Sequence, residues 1–165
     1  MFWLRRKNEL AADLVRFKAL YGMGTQTLRR LAGLINVREY ATDETVFYES
    51  HPSAAVYFVR SGSIGLFRPH PNRAPDRIRY IGPGGIAGER ALLDGGPRTW
   101  RAVALEPSIL FALLRDDCLR LAQRSPQTAF ALVQRISSHL LDELEGLQGE
   151  FYDLNRELAR GRVRS

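Results

Sequence analysis

The chain has one cysteine, Cys118, in 165 residues. That excludes an internal disulfide and any cysteine-based metal cluster. It has no apolar run long enough to span a bilayer. Its apolar start, Phe2-Trp3-Leu4, runs into Arg5-Arg6-Lys7 without a signal-peptide core. The three histidines, His51, His70 and His139, are far apart and none sits at metal-ligand spacing. A metal-dependent barrel enzyme, which needs clustered histidines on adjacent strands, is therefore not expected. No serine lies in a nucleophile-elbow sequence and no motif activates Cys118, so it reads as a core thiol. The Asp116-Asp117 pair sits at a helix start, where acids complement the dipole. There is no internal repeat and no low-complexity segment. These absences point to a cytoplasmic protein that is not an enzyme.

What is present is an ordinary globular composition, 45% hydrophobic and 25% charged, with a formal net charge of +6. The length suits one domain with a real core. The excess positive charge would attract an anionic ligand, nucleic acid or an acidic membrane surface, but it is spread along the chain. Residues 1–35 read as a helical lead-in. Leu10, Ala11, Leu14, Phe17 and Leu20 predict an amphipathic helix over Glu9–Leu20, broken by Gly22 and Gly24, and a second helix follows over Thr25–Leu34. Residues 36–115 read as sheet. Val46 and Tyr48 alternate with Phe47 and Glu49, and Val56–Arg60 is dense in β-branched and aromatic residues. Ser61-Gly62 turns that strand back along Ser63–Phe67. Pro69, Pro71 and Pro75 mark a long hairpin loop. Arg77–Ile81, Ala102–Ala104 and Ile109–Leu114 complete a set of short strands typical of a barrel or double-sheet jelly roll. Residues 116–165 read as helical: Asp116–Arg124, then a long helix opened by Ser125 as N-cap and Pro126 in its first position.

The most informative stretch is 82–104. Gly82, Gly84, Gly85 and Gly88 allow backbone conformations that side chains forbid and let a ligand approach main-chain N–H groups. Glu89 follows at once. Arg90 to Leu93 can form one helical turn whose N–H groups would face an anion. Pro97 then fixes the backbone before Arg98, whose planar guanidinium matches phosphate oxygens.

Gly88-Glu89, Ala91-Leu92-Leu93 and Pro97-Arg98-Thr99 resemble the phosphate-binding cassette of the cyclic nucleotide-binding domain. The run Tyr57 to Phe67 resembles a hairpin of the same family. That family includes the sensor half of bacterial catabolite-activator-type regulators, regulatory subunits of cyclic-nucleotide-dependent kinases, and gated channels. The resemblance implies an α+β fold: a β jelly-roll barrel with N-terminal helices and a long C-terminal helix. It implies a sensor whose ligand is cyclic AMP or cyclic GMP, with no cofactor. Glu89 would take the ribose 2′-hydroxyl and Arg98 the exocyclic phosphate oxygens. Thr99 and the backbone around Gly88, Arg90 and Ala91 would assist. Counting along the long helix places base contacts near Glu143 and Leu144; the alternative for Glu143 is a solvated helix face. Two residues depart from the pattern. Ala87 stands where an aromatic residue is usual, and Trp100 stands where alanine is usual, behind the phosphate contact. Trp100 is either a wall for the ligand or a plug. Thr99 resembles the arrangement in some cyclic-GMP receptors, whereas catabolite-type cyclic-AMP receptors carry serine.

Along the last helix, Val133, Ile136, Leu140, Leu144, Leu147, Phe151, Leu154 and Leu158 recur three or four apart. This is a heptad-like seam with one irregular step between Leu140 and Leu144. From Ser125 to Leu158 the helix spans roughly 50 Å, too far to be covered by a domain of this size. A parallel homodimer over about 126–158 is expected. The alternative is that the stripe folds back after a break at Gly146 and Gly149, each of which weakens the helix by about 1 kcal/mol. Catabolite-type regulators carry a helix-turn-helix beyond this helix. None is found here, so an unidentified effector protein is expected as partner, and sequence-specific DNA binding is not. Arg156, Arg160, Arg162 and Arg164 read as a solvated helix end. Two rival readings remain: a degenerate domain that dimerises and binds proteins without nucleotide, and a basic accessory protein that binds nucleic acid without sequence preference.

Overall fold

The computed structural model describes residues 2–70 and 72–162; Pro71, Arg164 and the side chains of residues 2–6, 161 and 162, hence of Phe2-Trp3-Leu4 and Arg162, lie outside the described residues. Helix α1 (Phe2–Leu14) is followed by a 3₁₀ turn (Lys18–Leu20) and α2 (Thr25–Ala32). Eight strands come next: β1 (Ile35–Tyr40), β2 (Thr45–Phe47), β3 (Ala55–Ser61), β4 (Ile64–Arg68), β5 (Asp76–Ile81), β6 (Ile86–Ala87), β7 (Arg101–Ala104) and β8 (Ser108–Leu114). The chain closes with α3 (Arg115–Arg124) and α4 (Pro126–Arg162). The strands form two antiparallel four-stranded sheets, ordered β1-β8-β3-β6 and β2-β7-β4-β5. The fold is thus a jelly-roll sandwich with N-terminal helices and a long C-terminal helix, but the sheets do not close into a barrel. The edge strands β2 and β6 have three and two residues, too short to bridge the two sheets.

Strands β3 and β8 are buried on both faces, which explains their near-continuous apolar runs. Side chains alternate across a strand. Val56, Phe58, Phe111 and Leu113 meet Leu14, Phe17, Leu20, Leu28 and Leu31 of the N-terminal helices, and Leu132 and Ile136 of α4. Val59 and Leu110 instead join Val46, Ile64, Leu66, Ile81, Ala87 and Ala102 between the sheets.

The predicted helix over Glu9–Leu20 is two elements. After Leu14 the hydrogen bonds tighten to a three-residue step, from Arg16 N–H to Asp13 O (3.1 Å) and Phe17 N–H to Leu14 O (3.3 Å). A 3₁₀ turn keeps the i, i+3 apolar spacing that the sequence displays, so spacing alone does not separate the two. Helix α4 runs unbroken through Gly146 and Gly149 for 37 residues; two propensity costs of about 1 kcal/mol do not halt a helix of otherwise good formers. The fold-back alternative is therefore not the arrangement found. At its start the Ser125 carbonyl accepts from Ala129 N–H (3.1 Å), and the Ser125 and Thr128 hydroxyls lie 2.8 Å apart. No helix among the described residues is long and apolar enough to cross a membrane.

Phe17 joins the helical layer to the sheet. Its ring centroid lies 5.2 Å from Phe58 and 6.1 Å from Phe111. Phe17→Ala is expected to cost about 3–5 kcal/mol, read as a lower urea midpoint at unchanged slope. A loss below about 1 kcal/mol would show that the lead-in does not anchor the fold.

Candidate functional site

Strand β5 ends at Ile81 and the chain turns through Gly82–Gly85 into β6. Gly84 N–H donates to Val59 O and Val59 N–H to Gly85 O, both at 2.9 Å, so the turn is clamped to β3. Gly88 then adopts φ +83° and leads into a 3₁₀ turn over Glu89–Ala91. A Cβ at Gly88 would fall on Arg98 Nη1. Glycine is needed there twice, for the left-handed backbone and for the guanidinium beside it. The next turn is strapped by Arg90, whose Nε donates to both Asp94 oxygens (2.9 and 3.1 Å) and whose Nη1 donates to Pro97 O (3.3 Å). The hydrogen bonds from Arg90, and then from Gly96 N–H, hold the Asp94 carboxyl below its ordinary pKa.

Arg98 is aimed inward by a backbone clamp. Its N–H donates to His51 O and its carbonyl accepts from Ser50 N–H, each at 2.8 Å. The residue is only 6% exposed. Nη2 donates to Ala55 O at 2.5 Å, and Cζ lies 4.2 Å from the Phe47 ring centroid and 6.0 Å from that of Tyr57. Burial pulls the guanidinium below its ordinary pKa, while Tyr57 and Glu89 pull it back up. The neighbouring Tyr40 hydroxyl is pushed up to about 12, chiefly by burial and then by Tyr57.

Two of the three Arg98 nitrogens, Nε and Nη1, are buried without a hydrogen-bond partner. Glu89 Oε1, Glu49 Oε2 and Ser53 Oγ share that condition, and among the described residues these five are the only such side-chain atoms. Each orphaned group costs about 1–3 kcal/mol. All five belong to the cassette or to the segment clamped against it, where Ser53 N–H donates to Gly96 O (3.2 Å). Two cationic donors, two carboxylates and a hydroxyl suit a ligand that carries both an anion and free hydroxyl groups.

The other predicted residues fall as follows. Thr99 is exposed beside Arg98. Ala91 is buried, and its N–H is spent on Gly88 O (3.0 Å); the N–H groups of Leu92 and Leu93 go to Glu89 O and Arg90 O. Of the N–H groups expected to face an anion over Arg90–Leu93, those of Ala91, Leu92 and Leu93 are therefore used internally by the 3₁₀ turn instead. Trp100 is half-buried against the inter-sheet cluster, as are Tyr40, Phe47 and Tyr57, and the Arg68 guanidinium lies 5.0 Å from its ring centroid. Ala87 is buried opposite Tyr57, whose ring stacks on Phe47 at 5.7 Å. Glu143 is ion-paired with Arg79 of β5 and lies 3.4 Å from His139; Leu144 is half exposed. Glu89 and Arg90 line a groove with Val133 and Leu140 of α4, before Glu143 in the chain. Sequence reasoning missed Glu49, Ser53 and Arg115. Arg115 Nη1 donates to Ala91 O at 2.6 Å and its side chain lies against Gly95. No motif marks these residues; only the tertiary clamp does. No cluster of metal-binding side chains occurs among the described residues.

Fold and site together define a jelly-roll ligand-binding domain built around a buried arginine. Residues 37–125 match the family described as the cyclic nucleotide-binding domain, and the chain belongs to that family. It is 33% identical over 120 residues to the cyclic AMP receptor protein of Thermus thermophilus, a match covering 73% of this chain and 56% of that protein. The chain spans about half the length of the curated relatives it matches. Among solved structures, the Thermus thermophilus catabolite activator protein superposes with a TM-score of 0.69 at 30% identity, covering 84% of this chain and 63% of that one. A cyclic nucleotide-binding domain from Methylobacillus flagellatus shares the fold, with a TM-score of 0.71 at 23% identity and coverage of 90% and 82%.

Cys118 takes no part in the site. Its thiol is half-buried on α3 and pushed up to about 12, mainly by burial and then by Asp117. At pH 9 the native chain should alkylate with iodoacetamide roughly several hundred-fold more slowly than the urea-unfolded chain, since only the thiolate reacts. Equal rates would show that the thiol is not shielded.

Proposed function

We propose that this domain is a cyclic mononucleotide sensor, a regulatory module rather than a catalyst, working in the cytoplasm. The observation that carries this reading is the buried Arg98 guanidinium with Nε and Nη1 unpartnered, next to an equally unpartnered Glu89 oxygen. Cyclic AMP or cyclic GMP supplies what both lack: exocyclic phosphate oxygens for Arg98 and a ribose 2′-hydroxyl for Glu89. Ligand binding then changes how the cassette meets Val133 and Leu140 of α4, and the helix passes the change to an effector protein. This requires different ligand affinity for the two helix positions. The degenerate reading draws on Ala87 and on the half-buried Trp100. Against it stands the cost of a buried cation with unmet hydrogen bonds, for which a site retired to protein contacts has no use.

Calorimetry with cyclic AMP and cyclic GMP tests this. Arg98→Ala should lose about 2–4 kcal/mol of binding, tens to hundreds of fold. Arg98→Lys should also bind worse, because an ammonium cannot span two oxygens. Glu89→Gln should cost less and relax discrimination against 2′-deoxy analogues. Wild-type protein that binds neither nucleotide at about millimolar ligand sinks the sensor reading. Recovery of binding in Trp100→Ala would then identify the indole as the plug.

The same reading includes a homodimer along α4. Leu144, Leu147, Phe151, Leu154 and Leu158 are each more than half exposed on a helix roughly 55 Å long. A second copy in parallel about a two-fold axis covers that stripe. Sedimentation should give a dimer for the whole chain and a weaker dimer or monomer for a chain ending at Glu145. A monomeric whole chain at tens of micromolar (on the scale of weak association) rules this out.

A further inference from the structure

Away from Arg98, a cleft of about 750 Å³ opens between the Arg16–Tyr21 connection, the end of β5 with the Gly82–Gly85 turn, and α4 from Arg135 to Glu143. Arg16, Lys18 and Arg135 stand on its walls, all exposed, and none has a side-chain hydrogen bond or ion pair among the described residues. Other arginines near carboxylates are paired, as Arg60 is with Asp13 and Arg79 with Glu143. Three unpaired cations facing one space repel each other, and the carboxylates on the same walls, Asp142 and the Arg79-paired Glu143, offset only part of that charge. Arg135 is also seated. It packs over Gly22, at φ +79°, where a Cβ would come within 2.7 Å of Nη2. Tyr21 and Tyr80, 53% and 59% exposed, border the same space.

We propose that this cleft is a second ligand site, separate from the Arg98 pocket, that takes a nucleoside polyphosphate. Its volume is that of a small-molecule site. Guanidinium and ammonium groups hold the phosphates, and a base stacks on a tyrosine face, as bases do on aromatic side chains. The distribution of charge favours a compact ligand over a nucleic-acid strand. Along α4, Asp142 stands about 10 Å of helix rise beyond Arg135, and Glu143 is already held by Arg79. On α4 the free positive charge of the cleft is therefore at Arg135, with Arg16 and Lys18 on the Arg16–Tyr21 connection. A strand crossing the cleft brings its backbone past the Asp142 carboxylate; a chain of two or three phosphates does not.

The test is calorimetric titration of the intact chain with ATP and with inorganic tripolyphosphate, each with and without saturating cyclic nucleotide. ATP should bind in both conditions and more tightly than tripolyphosphate. Lys18→Gln combined with Arg135→Gln should lower ATP affinity by roughly tenfold or more. Arg98→Ala should leave it unchanged, which separates this site from the cassette. Arg124→Gln combined with Arg160→Gln removes the same charge elsewhere and should have no effect. The proposal is overturned by any of four results: no ATP binding at about 5 mM (beyond ordinary ligand affinities); equal loss in the two double variants, which marks net charge alone; competition with cyclic nucleotide together with loss in Arg98→Ala, which puts ATP in the cassette; or a single-stranded oligonucleotide that binds more tightly and displaces ATP. Equal affinity for tripolyphosphate overturns the nucleoside part.

Discussion

The Arg98 guanidinium is a buried cation with a single carbonyl acceptor, and the surrounding chain is shaped to tolerate it. Gly88 has no side chain where Nη1 lies. Phe47 and Tyr57 supply aromatic faces, which stabilise a cation by their ring quadrupoles without closing an ion pair. The segment 50–53 is bonded to 96–98 on both edges, so the arginine cannot swing out cheaply. Glu89 is near enough to raise the guanidinium's pKa, yet forms no ion pair with it. That separation matters. A carboxylate in contact with Arg98 would satisfy it and leave nothing for an anion. The half-buried Glu89 carboxylate, held out of contact, leaves the cation unmet. An unpaired buried charge costs stability in the free protein, and a bound anion recovers that cost as affinity.

The cassette is also tied to the helices that follow it. Arg115, the first residue of α3, donates to Ala91 O and lies against Gly95, so it grips the cassette on both sides of the 3₁₀ turn. Helix α3 leads directly to Ser125. There Arg30 of α2 donates to Ser125 Oγ (3.0 Å) and Thr128 Oγ1 (3.1 Å), fixing the start of α4 to the N-terminal layer. Helix α4 is thus held at its root by α2, then by Leu132 and Ile136 in the core with Leu140 packed against it, and further on by Arg79 through Glu143. For the proposed switch these are the contacts whose energies must differ between two helix positions. Spatial connection alone does not establish coupling. It does identify few enough contacts to be separated by double-mutant cycles.

The sheet region was legible in the sequence because period-two alternation and glycine or proline turns are local signals. Strands β3, β4, β5 and β8 fall within one or two residues of their predicted spans. Strand β6 was not legible: two residues carry no period, and its existence depends on β3 lying opposite. The helix over Glu9–Leu20 was misread because an i, i+3 spacing serves an α-helix and a 3₁₀ turn alike. In the site, Arg98, Glu89 and Gly88 carry their chemistry in residue type and spacing, so they could be read. Glu49 and Ser53 could not, because they reach the site only through hydrogen bonds between segments some 45 residues apart in the chain. Glu143 was placed by counting along a helix. Counting gives a position and not a partner, and the partner is Arg79.

The apolar stripe of α4 records where the helix leaves the body of the domain. From Val133 to Leu144 the steps are three, four and four, an eleven-residue span close to the natural period of a straight helix. Over this part the helix packs on the sandwich: Ile136 is fully buried and Leu140 partly so. From Leu144 to Leu158 the steps are three, four, three and four, the 3.5-residue period of a left-handed coiled coil. Over that part every member of the stripe is exposed. A straight helix drifts by about 20° per heptad against a 3.5 repeat, so a sequence packed only on its own domain has no reason to hold that repeat for two heptads beyond it. The change of period coincides with the loss of contact to the body. The irregular step between Leu140 and Leu144 is the junction between two packing partners, the sandwich before it and, in the proposed dimer, a second copy of α4 after it.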